Sequence, residues 1–272
     1  MTTAQVRLAF ALLVIVAVAA AVAPAVAPYA PDAVDLMNRR AGPSGLHWLG
    51  TDDLGRDLLS RIVFGARVSL AVGVVAGALS ALFGTAVGLV AGYAGRWTDD
   101  VLMRCTDAML AVPRLPLLMI ASVVLSPTVP ALVVLVGAVG WMETARVVRA
   151  EALTLKSRDW VSGAKALGGS PWRVAARHVL PSATSVIAAA TTLAVARGIL
   201  LESTLSFFGV GVQPPRASWG NMLYQGQATL ATEPWLAVFP GLAILVTVYC
   251  LNVLGDALVA APAAGRGWNR RP

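Results

Sequence analysis

The chain has 272 residues, of which 57% are hydrophobic and 13% charged, with a formal net charge of +7. Soluble domains carry roughly 25% charged residues, so this composition excludes an ordinary soluble enzyme or binding module and indicates a polytopic membrane protein. Nucleic-acid binding is excluded as well, because the basic residues form no patch with interleaved aromatics and no reader motif is present.

Crossing a hydrocarbon core takes roughly 20 helical residues. Runs of about that length lie at 8–27, 68–91, 109–125, 129–141 (continuing past Met142), 182–201 and 235–254. They are solid apolar runs rather than the alternating segments of roughly ten residues that build membrane barrels, so helices are predicted throughout. Arg7 before the first run and Ala23-Pro24-Ala25-Val26-Ala27 at its end resemble a secretory signal. The apolar stretch, however, exceeds the roughly 7–15 residues of a signal core, and a retained anchor is expected.

An outer segment follows, with Asp32, Asp35, Asp52, Asp53 and Asp57. In the second run Gly73, Gly77, Gly84, Gly88 and Gly92 form, with Ala81, a stripe of small residues on one helical face. Such a stripe lets another helix approach closely and gain van der Waals contact. Asp107 just before the third run and Arg114 near its start are expected to act as interface anchors or interhelical partners.

Between the fourth and fifth runs lies a charged, amphipathic island, 160–181, that must sit in water. Ser157 or Asp159 is expected to cap a short helix running to Leu167. Gly168-Gly169 supplies the left-handed turn that ends it. Ser170 and Pro171 restart a second helix as N-cap and first residue, and Pro181 is expected to limit it. The product is a hairpin carrying Lys165, Arg173 and Arg177, read either as a knob that docks into a partner or as an amphipathic hairpin resting on lipid headgroups. In the fifth run Arg197 and Glu202 stand near one another. Charges at membrane depth face a protein interior or water, so they either line a translocation path or snorkel to the outer interface.

With six crossings and the N-terminus inside, thirteen Lys and Arg fall on the inner side and six on the outer, which predicts both termini inside. Cys105, Cys250, His47 and His178 show no metal-ligand spacing and no disulfide framework. Signatures for metal-dependent hydrolysis, a nucleophile elbow and the Walker A lysine are missing. The chain is therefore expected to move a substrate rather than convert it, binding no metal or cofactor itself.

The island resembles the "EAA" coupling loop of binding-protein-dependent ABC importer permeases. It aligns at Ser162-Gly163-Ala164, at Gly168 and at His178-Val179-Leu180-Pro181. Ser162 and Gly163 replace the usual Glu-Ala, and His178 the usual Ile. Four further stretches resemble the C-type subunit of dipeptide, oligopeptide and nickel permeases. These are 49–57 leading into 65–70, Glu202 to Gly209, Gly211 to Pro215 with Ser218-Trp219-Gly220-Asn221, and Asn252 with Gly255-Asp256. The tail departs from the family pattern, being apolar and small over 257–265.

The resemblance implies an all-α membrane protein of six transmembrane helices, with the type I ABC importer permease fold and a cytoplasmic coupling hairpin. It divides the chain into an anchor and outer segment (1–64), a transport core (65–258, coupling loop about 157–181) and a tail (259–272). Ser162, Gly163, Ala164, Lys165, Leu167, Gly168, Ser170 and Pro171 would contact ATPase subunits. It further implies a non-identical sister permease, two ATPase subunits that use ATP and Mg, an extracytoplasmic binding protein and a peptide cargo, with nickel or another small solute as the alternative. An ion-driven secondary transporter would favour inverted repeats and acidic residues at the midplane. No convincing repeat is found, and the hairpin would go unexplained.

Overall fold

The computed structural model describes residues 2–125 and 128–260. Among the described residues the regular structure is all helical, with one isolated bridge between Thr51 and Asp57. Helix α1 (Thr3–Ala21) opens with a capping box between Thr2 and Gln5. It lies against the side of the bundle, burying only Ala9 and Ala20, with Ala9 packed on Cys250 and Val253. A short α2 (Ala23–Val26) leads into the outer segment, whose last residue, Asp57, caps α3 (Leu58–Ala94) by accepting the Ser60 amide at 2.8 Å. At 37 residues, α3 is about 55 Å long, and it projects beyond a hydrocarbon core roughly 30 Å thick.

The third apolar run is not one helix. It is split between the amphipathic α4 (Arg96–Ala111) and α5 (Arg114–Leu125), which meet at 80°. Pro113 disfavours helical backbone in the residue before it, and Val112 is extended at φ −75° and ψ 128°. Five helices are individually long and apolar enough to cross a membrane, or six spans with the bent pair α4 and α5 counted as one. The others are α1, α3, α6 (Val129–Lys156), α10 (Thr184–Phe207) and α12 (Trp235–Ala260). The fourth run is therefore much longer than its apolar stretch, since α6 carries its polar inner half well past Met142.

Helix α3 is the centre of the bundle, packed against both α6 and α10, which also touch one another. Ala76, Leu118, Val136, Met142 and Leu205 fill one core, and Ala66, Ile199, Trp219 and Ile244 another. At the end of the bundle where α3 begins, α11 (Trp219–Gly226) is pinned to α3 by the Trp219 indole N–H, which donates to the Ile62 carbonyl at 3.0 Å.

The island folds as α7 (Asp159–Ala166), α8 (Pro171–Val174), a π turn (Ala175–Val179) and α9 (Leu180–Ser182). Ser170 and Pro171 start α8 as expected, with the Ser170 hydroxyl accepting the Arg173 amide. Two local expectations fail. Helix α7 begins after Arg158 with no side-chain cap, because Ser157 instead closes α6, donating to the Thr154 carbonyl at 2.9 Å. Pro181 does not stop the helix: the wide π turn, closed by the Leu180 amide on the Ala175 carbonyl, precedes it. A proline ring in a regular helix clashes with the carbonyl four residues back, and a π turn opens the helix at that point. The apolar tail beyond Ala260 lies outside the described residues.

Candidate functional site

The hairpin is held to the bundle by its inner face. Val161, Val174, Ala175 and Val179 are buried with Tyr93 of α3 and Ala152 of α6, and Ala164 packs at the margin. Lys156 Nζ donates to the Tyr93 carbonyl at 2.8 Å, and the Lys165 ammonium stands 5.2 Å from the centre of the Tyr93 ring, a cation–π arrangement.

The opposite face is free. Leu167 at the tip is 92% exposed, and Trp160, Trp172, Ser162, Gly163, Lys165, Gly168, Ser170 and Pro171 are also exposed. Gly168 has φ +84°, its amide donating to the Lys165 carbonyl and the Gly169 amide to that of Ala164. That bond pair is a Schellman closure, so the tip has one defined shape. A Cβ at Gly168 or Gly163 would meet nothing within 4 Å. The small residues at Gly163 and Gly168 are thus not required for packing inside this chain, and at Gly168 the left-handed backbone favours glycine.

Three ion pairs tie α4 and α5 to α6. Asp99 accepts from Arg149 Nη2 at 2.7 Å, Asp107 pairs with Arg146, and Arg114 Nη2 lies 2.7 Å from Glu143 Oε1. Positions 143, 146 and 149 are three apart and share one face of α6. Arg197 Nη1 is 2.8 Å from the other oxygen of Glu143. Arg197 and Glu202 are thus not brought together. Glu202 is fully buried, accepting hydroxyls from Ser69 at 2.9 Å, Ser206 at 2.8 Å and Ser203 at 3.4 Å. Glu143 was not singled out in the sequence. It lay beyond the apolar stretch of its run, and only tertiary structure supplies its partners.

The glycine stripe of α3 serves two neighbours. A Cβ at Gly73 would run into Ile199, and one at Gly77 would lie 2.6 Å from Val195 Cγ2, both on α10. At Gly84 it would lie 2.6 Å from the Trp141 carbonyl, at Gly88 it would strike the Ala145 carbonyl, and at Gly92 it would lie 2.8 Å from Ala152, all on α6.

Just before α3 the stretch from Leu49 to Asp57 is a compact turn. Asp52 accepts the Leu54 and Arg56 amides and the Arg56 Nε at 2.7 Å, with Arg61 Nε 3.4 Å away. His47 Nδ1 is 2.9 Å from Asp57. Nearby, hydrogen bonds from the Asn38 side chain and the Met37 amide hold the Asp35 carboxyl below the usual carboxylate range. Among the described residues no three His, Cys, Asp or Glu side chains are grouped to hold a metal.

Residues 84–263 match the model of the family described as binding-protein-dependent transport system inner membrane component. The chain is 37% identical over 233 residues to a putative peptide permease protein of Brucella suis, covering 85% of this chain and 77% of the relative. It is 37% identical over 232 residues to the glutathione transport system permease protein of Pectobacterium atrosepticum, with the same coverage. Against the oligopeptide transport system permease protein of Bacillus subtilis it is 38% identical over 230 residues, 85% of this chain and 75% of that one. A helical bundle of this form, matched over most of its length, belongs to the binding-protein-dependent transport system inner membrane components, the multi-pass permease subunits of ABC importers.

Proposed function

We propose that this chain is one half of the translocation unit of an ATP-driven importer for dipeptides or oligopeptides. It pairs with a non-identical sister permease and with two cytoplasmic ATPase subunits, and an extracytoplasmic binding protein delivers the cargo. ATP and Mg are used by the ATPases, and this chain binds no cofactor. Both termini are cytoplasmic, the reading favoured by the thirteen-to-six distribution of Lys and Arg. The peptide cargo is supported by relatives named for peptide, dipeptide, oligopeptide and glutathione transport.

The observation that carries the mechanical part is the hairpin, bound to α3 and α6 on one face and presenting a rigid apolar tip at Leu167 on the other. ATP-driven closure of the ATPases displaces this knob. The helices then exchange outward and inward access, and the cargo is bound and released by the shift in population. The test is to purify a tagged form of the chain from its native membranes and reconstitute what comes with it. ATPase subunits should co-purify, and labelled dipeptide presented with the binding protein should enter vesicles only when ATP is available to the ATPases. A chain that purifies without an ATPase, or uptake driven by an ion gradient alone, overturns the reading.

A further inference from the structure

Where α5, α6 and α10 meet, the charges of this chain do not balance. Glu143 offers one oxygen to Arg114 at 2.7 Å and the other to Arg197 at 2.8 Å. The three side chains come from α5, α6 and α10, and among the described residues no second carboxylate lies within ion-pair distance of either guanidinium. Arg197 stands about 20 Å along α10 from Thr184, near the middle of that helix, as Glu143 is near the middle of α6. The cluster is open, with side chains 24%, 36% and 35% exposed at Arg114, Arg197 and Glu143. On α10 the same face continues through Leu200 to Phe208, both exposed. The surplus cation is therefore set beside an exposed apolar stretch of α10, where a charge needs protein or water to face it.

We propose that Arg197 and Arg114, bridged by Glu143, form a carboxylate-binding subsite of the translocation path, and that it receives the C-terminal carboxylate of a peptide in transit. The inference rests on the peptide reading above. A guanidinium presents its N–H groups as a planar fork that matches a carboxylate. Glu143 takes only one side of each, so an arriving carboxylate completes the neutralisation. Glu143 also competes for the same cations, which keeps the hold weak enough for cargo to leave, a requirement for any site on a path. A lipid phosphate bound at the same guanidiniums would not distinguish a free from an amidated peptide, so the comparison below separates the two.

The test compares uptake of a dipeptide with the same dipeptide amidated at its C-terminus, at saturating binding protein, in vesicles holding the reconstituted complex. The wild-type complex should prefer the free carboxylate. Arg197→Gln should slow the free form by about ten-fold or more, as for a lost charge-assisted hydrogen bond, and slow the amide little, so that the preference collapses. Arg197→Lys should restore it in part. A wild-type complex without preference, or a variant that slows both forms equally, overturns the subsite and assigns Arg197 to an acid of the sister subunit or to the fold. If Arg197→Gln does not assemble, Arg114→Gln is measured in the same way and must lower the same ratio. Should the wild type take up neither form, the cargo reading fails and the subsite with it. Uptake of both with an unchanged ratio in the variants defeats the subsite alone.

Discussion

Ser69 on α3 donates its hydroxyl to Glu202 on α10 at 2.9 Å while accepting the Trp219 amide at 3.2 Å. One hydroxyl thus joins two spans and the start of α11. The Ser206 hydroxyl works in parallel, donating to Glu202 and accepting the Val212 amide at 3.0 Å. A fully buried carboxylate with this set of donors is a joint of the outer half of the bundle. Glu202→Ala would leave the serine hydroxyls without their acceptor, at about 1–3 kcal/mol for each unsatisfied group. The thermal midpoint of the purified complex should fall clearly for Glu202→Ala and less for Glu202→Gln, which keeps an acceptor oxygen. An unshifted midpoint in both variants would remove Glu202 from this structural role.

Gly77 and Gly84 are expected to tolerate no side chain. A Cβ at either would lie 2.6 Å from its neighbour, and at Gly84 that neighbour is a backbone carbonyl that cannot turn away. Overpacking typically costs about 1–3 kcal/mol, and the Leu variants exceed a single Cβ. Gly77→Leu and Gly84→Leu should lower the yield of assembled complex, whereas Gly163→Ala, with open space at its Cβ, should not. Normal assembly of the Leu variants would reduce the stripe to composition.

Gly168→Val separates conformation from contact. The new side chain meets nothing within this chain, but its φ of +84° is costly for any β-branched residue, at roughly 1–2 kcal/mol. Membrane insertion should survive, while ATPase binding or the coupling of hydrolysis to uptake is lost. Gly168→Asn, which tolerates the left-handed region, should retain more of both. Unaltered uptake by Gly168→Val would rule out the tip as the ATPase contact and favour the headgroup-resting hairpin.

Topology is checked by labelling. With Cys105 and Cys250 replaced, single cysteines at Met37 and Ser162, both exposed, should react with an impermeant reagent from opposite faces. Reaction from one face at both positions would undo the orientation and the hairpin's assignment to the cytoplasmic side.

Much of this architecture is written locally in the chain. The apolar runs, the close-packing glycines, and the Gly168-Gly169 and Ser170-Pro171 signals of the hairpin each depend on neighbouring residues, and the structure places them where those signals point. The break at Val112-Pro113 also had a local cause, but hydropathy on both sides of Pro113 concealed it. The partnership of Glu143 with Arg114 and Arg197 had none. Those residues are far apart in the chain and come from three helices, so no periodicity could pair them. Tyr93 is a similar case: its neighbours in the chain do not mark it, and only the fold makes it the seat of the hairpin.

The contacts along α3 have a consequence for how a push travels. Side chains that meet through long rotamers give way by changing rotamer, so part of any displacement is spent before it reaches the next element. Where Gly77 meets the backbone of Val195, and Gly84 and Gly88 meet the carbonyls of Trp141 and Ala145, there is no rotamer to spend. The inner end of α3 carries Tyr93, on which the hairpin sits; its outer half bears directly on Val195, two residues from Arg197. Under the proposed coupling, helix α3 would act as a shaft with little backlash, carrying a tilt applied at the hairpin to the Arg197 cluster.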